Sequence, residues 1–130
     1  MPTDAARAAG ELGAHYLEEA RAGFRALRRD AEAALAQLGD DDLWATLDPE
    51  ANSVGVIVRH LGGNLRSRWS DFLTSDGEKP DRDRDDEFVA RPAMARAALM
   101  AEWEGGWRAV EGALDALGPG DLLRTVTIRG

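Results

Sequence analysis

The sequence predicts an all-α fold: a helical bundle with three long helices and a short extended segment at the C-terminus. Apolar residues recur at three- and four-residue steps in three separate stretches, as one face of a helix requires. Gly39, Pro49, Gly77, Pro80 and Gly118-Pro119 fall between or just after those stretches and punctuate them. Only the last few residues alternate apolar with polar as a strand does.

The first helix is expected over about 11–38, after an Ala-rich lead-in that is either frayed or loosely helical. Leu17, Ala20, Phe24, Leu27, Ala31, Ala34 and Leu38 share one face, and Glu18, Arg21, Arg25, Arg28 and Glu32 are its polar neighbours. Gly39 fits a left-handed C-cap. Asp40 is placed to cap a short turn holding Leu43 and Trp44, and Pro49 bars a continuous helix.

The second helix is expected over 53–74, capped by Asn52 or Ser53, with Val54, Val58, Leu61, Leu65, Trp69 and Phe72 as its stripe. Gly62 and Gly63 lie inside it, where two glycines cost helix stability. They imply a close approach by another backbone, or room for a ligand beside His60, with a mild kink as the plain alternative. A charged loop follows over 75–91, with turn signals at Asp76-Gly77 and Lys79-Pro80 and with Phe88 anchoring its far end. Pro92 suits the first turn of a third helix over 92–117. Met100, Trp103, Trp107, Val110, Leu114 and Leu117 form its stripe, and Gly118-Pro119 ends it. Residues 122–128, LLRTVTI, read as the extended segment. The expected core is Phe24, Leu27, Val58, Leu61, Leu65, Trp103, Trp107 and Leu114, with the helices packed mainly antiparallel.

The 130 residues make one domain with a real core. A net charge of −8, with Lys79 as the single lysine, argues against nucleic-acid binding, which needs clustered basic residues. No apolar run approaches the roughly 18 residues of a membrane span, and the first residues lack the apolar core of a signal peptide. No membrane association is expected, and the cytoplasm is the expected compartment. With no cysteine, a zinc or iron site would have to be built from His, Asp and Glu.

His60 is the main candidate for chemistry. It lies beside the second helix's stripe, next to Ile57 and Asn64, where a side chain can turn into a bundle's interior. A structural histidine is the plain alternative. His15, the other histidine, is expected to be exposed, and no His-x-x-x-His pair occurs. Asp71, the carboxylate following His60 on the same helix, lies about three turns away. Asp81, Asp83 and Asp85 alternate as in an EF-hand loop. The frame then puts Asp86 where Gly is needed and Pro92 where a bidentate Glu is needed, so a solvated, internally paired loop is expected instead. The four tryptophans read as core rather than as a ligand pocket, and no serine has a nucleophile-elbow context.

Three stretches, NSVGVIVRHLGGNLRSRW (52–69), DFLTSDGEKP (71–80) and RTVTIRG (124–130), resemble in order and spacing a branch of the DinB/YfiT-like superfamily. That resemblance implies an up-down four-helix bundle and a metal-dependent enzyme, in some relatives acting with low-molecular-weight thiols. It implies a divalent metal, zinc or nickel, held by a histidine on the second helix and an H-x-x-x-H pair on the fourth. His60 matches the first ligand, while the fourth helix and its pair have no counterpart in this chain. The expectation is therefore a truncated bundle that binds no metal by itself and hides its open face as a homo-oligomer. The other reading is a non-catalytic helical protein acting through self-association or partner binding.

Overall fold

Thr3 opens the first helix, its Oγ1 accepting the Ala6 N–H at 3.0 Å. The computed structural model, which describes residues 1–130, contains four helices and no strands. They are α1 (Asp4–Ala36), α2 (Val54–Trp69), α3 (Arg84–Glu87) and α4 (Arg96–Ala116). Short 3-10 turns run over Asp40–Trp44 and Pro119–Asp121.

α1 thus starts before Glu11. The Ala-rich head needs no packing to be helical, because alanine has the highest helix propensity and the cap satisfies an otherwise orphaned donor. At the other end Gly39 has φ −71°, so it is not a left-handed cap. Its N–H donates to the Asp42 carboxylate at 3.3 Å instead, holding the turn that buries Leu43. α2 ends at Trp69, short of Thr74, because Asp71 takes φ 47°. The Thr74 and Ser75 hydroxyls donate back to the Asp71 carbonyl at 3.3 and 2.9 Å and hold that left-handed residue in place. Pro92 is not in the first turn of α4. It lies in a turn closed by the Met94 N–H on the Arg91 carbonyl at 2.8 Å. The helix begins at Arg96, whose guanidinium donates to the Asp40 carboxylate at 2.7 Å and to the Leu35 and Leu38 carbonyls at the end of α1.

The helix directions follow from which residues meet. Gly13 packs on Pro119, Arg21 donates to the Leu114 carbonyl at 2.8 Å, and Trp103 Nε1 donates to Glu32 at 3.0 Å, so α1 and α4 are antiparallel. Gly62 meets Glu102 while Leu65 meets Gly106, so α2 and α4 run parallel. This corrects the up-down expectation. Residues 70–95 are long enough to carry the chain back along the bundle, whereas an antiparallel neighbour needs only a short turn.

The core contains Leu35, Leu43, Val58, Leu99, Trp103, Trp107, Val110 and Leu114, with Phe24, Leu65 and Trp69 packed half-buried against it. Two expected core residues lie outside it: Leu27 is 63% exposed and Leu61 38%. The face α1 turns to α4 runs through Leu17, Arg21, Phe24, Arg28, Glu32 and Leu35 rather than through Leu27 and Ala34. Arg28, expected on a polar flank, donates to Glu32, Glu104 and Glu111 and lies 5.9 Å from the Trp107 ring centroid. The Glu104 hydrogen bond is the largest influence raising its pKa, so it stays charged in this position. The 122–128 segment forms no strand. It is tied to the 70–95 connection by a backbone hydrogen bond, Gly77 N–H to the Thr127 carbonyl at 2.8 Å, and by the Asp76 carboxylate, which accepts the Arg129 and Gly130 N–H groups. No helix is long and apolar enough to cross a membrane.

Candidate functional site

The 70–95 connection is not a free loop. Its near end is pinned by Ser67, which is fully buried. The Ser67 Oγ donates to the Gly77 carbonyl at 2.8 Å and accepts the Lys79 N–H at 2.9 Å. Its far end is pinned by the buried Arg59, which donates to the Asp86 and Val89 carbonyls at 2.7 and 2.9 Å and to the Asp86 carboxylate at 2.8 Å. Arg91 binds the same carboxylate, and Arg66 pairs with Asp81 at 3.0 Å. Asp83 caps α3 by accepting the Asp86 N–H at 3.0 Å. The aspartates that suggested a calcium frame are therefore divided among arginines and a helix cap, with Asp85 exposed in the first turn of α3.

This docking places Glu87 over His60. Glu87 Oε1 lies 3.1 Å from His60 Nδ1. Arg82, whose side chain is 1% exposed, donates Nε–H to Glu87 Oε2 at 3.1 Å and Nη2–H to Oε1 at 3.0 Å. That fork raises the Arg82 pKa, the hydrogen bond to Glu87 being the main cause. The imidazole is partly exposed, and the Phe88 ring lies over it with centroids 4.7 Å apart. Phe88 therefore covers His60 rather than entering the core.

The glycine pair explains why the approach is possible. A Cβ on Gly62 would stand 2.6 Å from the Glu102 carbonyl oxygen, so this residue sets the close contact of α2 with α4. A Cβ on Gly63 would stand 2.0 Å from Glu87 Oε2, so this residue makes room for the carboxylate. The close-approach reading holds at the first glycine; at the second the space is taken by a side chain of the chain itself. Beside the pair opens a polar cleft of about 350 Å³ lined by Arg59, Arg66, Asp86, Glu87 and Glu102 among others.

His60 is thus placed in a built environment, and His15 is exposed, as expected. The partner of His60 is Glu87, which sequence reasoning did not name. The two are separated by a turn, a loop and a short helix, and the sole trace of the contact in the sequence is the missing side chain at Gly63. No group of three His, Asp or Glu side chains converges, and both Glu87 oxygens already face Arg82.

Several carboxylates that dock the connection are held below their ordinary range. Backbone N–H donors, first that of Glu78, lower Asp76; the Arg68 guanidinium lowers Glu78; the Arg59 guanidinium lowers Asp86. A carboxylate with a depressed folded pKa adds stability above its unfolded value, 3.8 for Asp and 4.5 for Glu, and loses it as pH falls through the folded one. Glu32, lowered chiefly by its hydrogen bond from Arg28, is one such carboxylate between α1 and α4 against three that dock the connection, so acid should release the connection before the helices. In amide NMR spectra, residues 76–79 and 83–89 should lose dispersion below about pH 4 while α1 and α4 keep theirs. Simultaneous loss from loop and helices would contradict this order.

A family model described as "Protein of unknown function (DUF1572)" matches residues 11–130. No curated protein and no solved structure matches the chain. The match spans nearly the whole chain, and the chain belongs to this family.

Proposed function

We propose, from the resemblance of its motifs to the DinB/YfiT-like superfamily and from the placement of His60, that the chain is the scaffold of a DinB-like, metal-dependent enzyme, with His60 as one ligand. The observation that carries this reading is the His60–Glu87 contact of 3.1 Å: a helical imidazole held by a buried carboxylate is the arrangement metal-binding histidines use. Zinc or nickel fits an imidazole donor, and a transferase-like reaction with a small thiol is the chemistry the resemblance suggests. Such a metal would supply Lewis-acid activation. What this chain's residues do is hold the imidazole at a fixed plane and angle between Phe88 and Glu87. One imidazole does not hold a metal tightly, so binding would need further ligands beside His60.

Elemental analysis tests this. The 130-residue chain should retain no stoichiometric metal after purification. A version extended by a segment carrying an H-x-x-x-H pair should bind about one metal per chain, and His60→Ala should abolish that binding. One tightly held metal on the 130-residue chain would defeat the incomplete-site reading.

The alternative is a non-catalytic helical protein that self-associates. An apolar groove of about 400 Å³ between α1 and α2, lined by Leu35, Leu38, Val54, Ile57, Val58 and Leu61 among others, favours it. Contiguous apolar surface of this kind is uncommon on monomers. Sedimentation velocity should show a dimer; a monomer at high concentration that binds no hydrophobic dye would dismiss this reading.

A further inference from the structure

We propose that Glu87 is a positioning residue that locks neutral His60 as the Nδ1–H tautomer, leaving Nε2 as its only lone pair. The inference rests on reading His60 as a functional donor, and deepens that reading by stating which nitrogen acts. Arg82 delivers two N–H groups to the Glu87 carboxylate, one to each oxygen. A carboxylate so held accepts hydrogen bonds and donates none. The 3.1 Å contact to Nδ1 therefore has one possible direction: Nδ1–H donates and Glu87 Oε1 accepts. Neutral imidazole carries one ring proton, so Nε2 is bare. Nε2 makes no hydrogen bond to the protein, and the ring is partly exposed. Free imidazole side chains in water favour the opposite tautomer, so the arrangement works against the default. A fixed Nε2 lone pair is what ligation of a metal and acceptance of a proton both require. Gly63 belongs to the same device, because any side chain there would displace the carboxylate.

Imidazole nitrogen NMR reads the tautomer directly, on the metal-free chain and at a pH where His60 is neutral. His15→Gln assigns the signals, since the chain has two histidines. Wild type should show His60 protonated at Nδ1 and bare at Nε2, with His15 near the free-imidazole mixture. Glu87→Gln retains an acceptor oxygen and should retain the tautomer. Glu87→Ala should shift His60 to predominantly Nε2–H. Gly63→Ala should do the same with the carboxylate still present, and because it adds a helix-favouring residue it keeps the test usable if Glu87→Ala unfolds. Wild-type His60 found as Nε2–H, or an Nδ1–H tautomer unchanged in folded Gly63→Ala and Glu87→Ala, would overturn the proposal. Since no metal is involved, failure here is separable from failure of the metal reading, which the elemental analysis decides.

Discussion

Replacing Trp107 with alanine should lower the unfolding free energy by about 3–5 kcal/mol. The indole is 7% exposed and sits where α1 meets α4. Its ring makes edge contacts with Phe24 and Trp103, at centroid distances of 6.3 and 5.7 Å, and receives the Arg28 guanidinium. Truncation removes the indole's apolar area, leaves a cavity that two helices cannot both close, and takes away the ring beneath the half-buried Arg28 guanidinium. The contact also contains a flaw: Trp107 Nε1–H is buried without an acceptor. Trp107→Phe removes that unsatisfied donor while keeping most of the ring, so it should cost much less than the alanine change. Urea unfolding followed by far-UV circular dichroism measures both. A loss below about 1 kcal/mol for Trp107→Ala would place the ring outside the core.

Gly62→Ala should also destabilise the protein, by about 1–3 kcal/mol, although alanine is the better helix former by about 1 kcal/mol. The added Cβ would lie 2.6 Å from the Glu102 carbonyl oxygen and 3.0 Å from its carbon. Both are backbone atoms inside α4, so neither can rotate away; α2 and α4 must separate along their contact. Gly106, opposite, has the same constraint, with the Gly62 carbonyl oxygen 2.9 Å from its would-be Cβ. Gly105 and Gly112 supply the contrast. Nothing stands within 4 Å of a Cβ at either, so Gly105→Ala and Gly112→Ala should stabilise by up to about 1 kcal/mol. Thermal unfolding of the three single variants should therefore give opposite signs within one bundle. A stabilised Gly62→Ala would show that α2 and α4 do not approach as closely as described.

Much of the fold was legible because helical periodicity and caps are local. The stripe Trp103, Trp107, Val110 and Leu114 is buried as read, and Ser53 caps α2 by accepting the Val56 N–H at 3.2 Å. Errors gathered where a local signal met a nonlocal contact. Leu27 is as apolar as Phe24, yet the face α1 uses is chosen by where Arg28 and Glu32 find Glu104 and Trp103 on α4. Pro92 is a sound helix starter, but the start of α4 is set by Arg96 reaching the carbonyls that α1 leaves open. At the candidate site, position on a helix brought out His60, whereas Glu87 and Arg82 carry no pattern that distinguishes them from the other charges of their run.

By itself, then, the sequence determined the all-helical class and the three long helices, and it singled out His60 as a candidate. Each depends on spacing along one segment, and spacing is written in the chain. Only the tertiary structure decided that α2 and α4 run parallel, which face of α1 is inside, and which carboxylate holds His60. Those outcomes depend on the path of residues 70–95 and on charge pairs formed across it, as with Arg59 and Asp86 or Arg82 and Glu87. A pair of opposite charges has no periodicity, and any of the many acids could serve any arginine until packing brings two of them within reach.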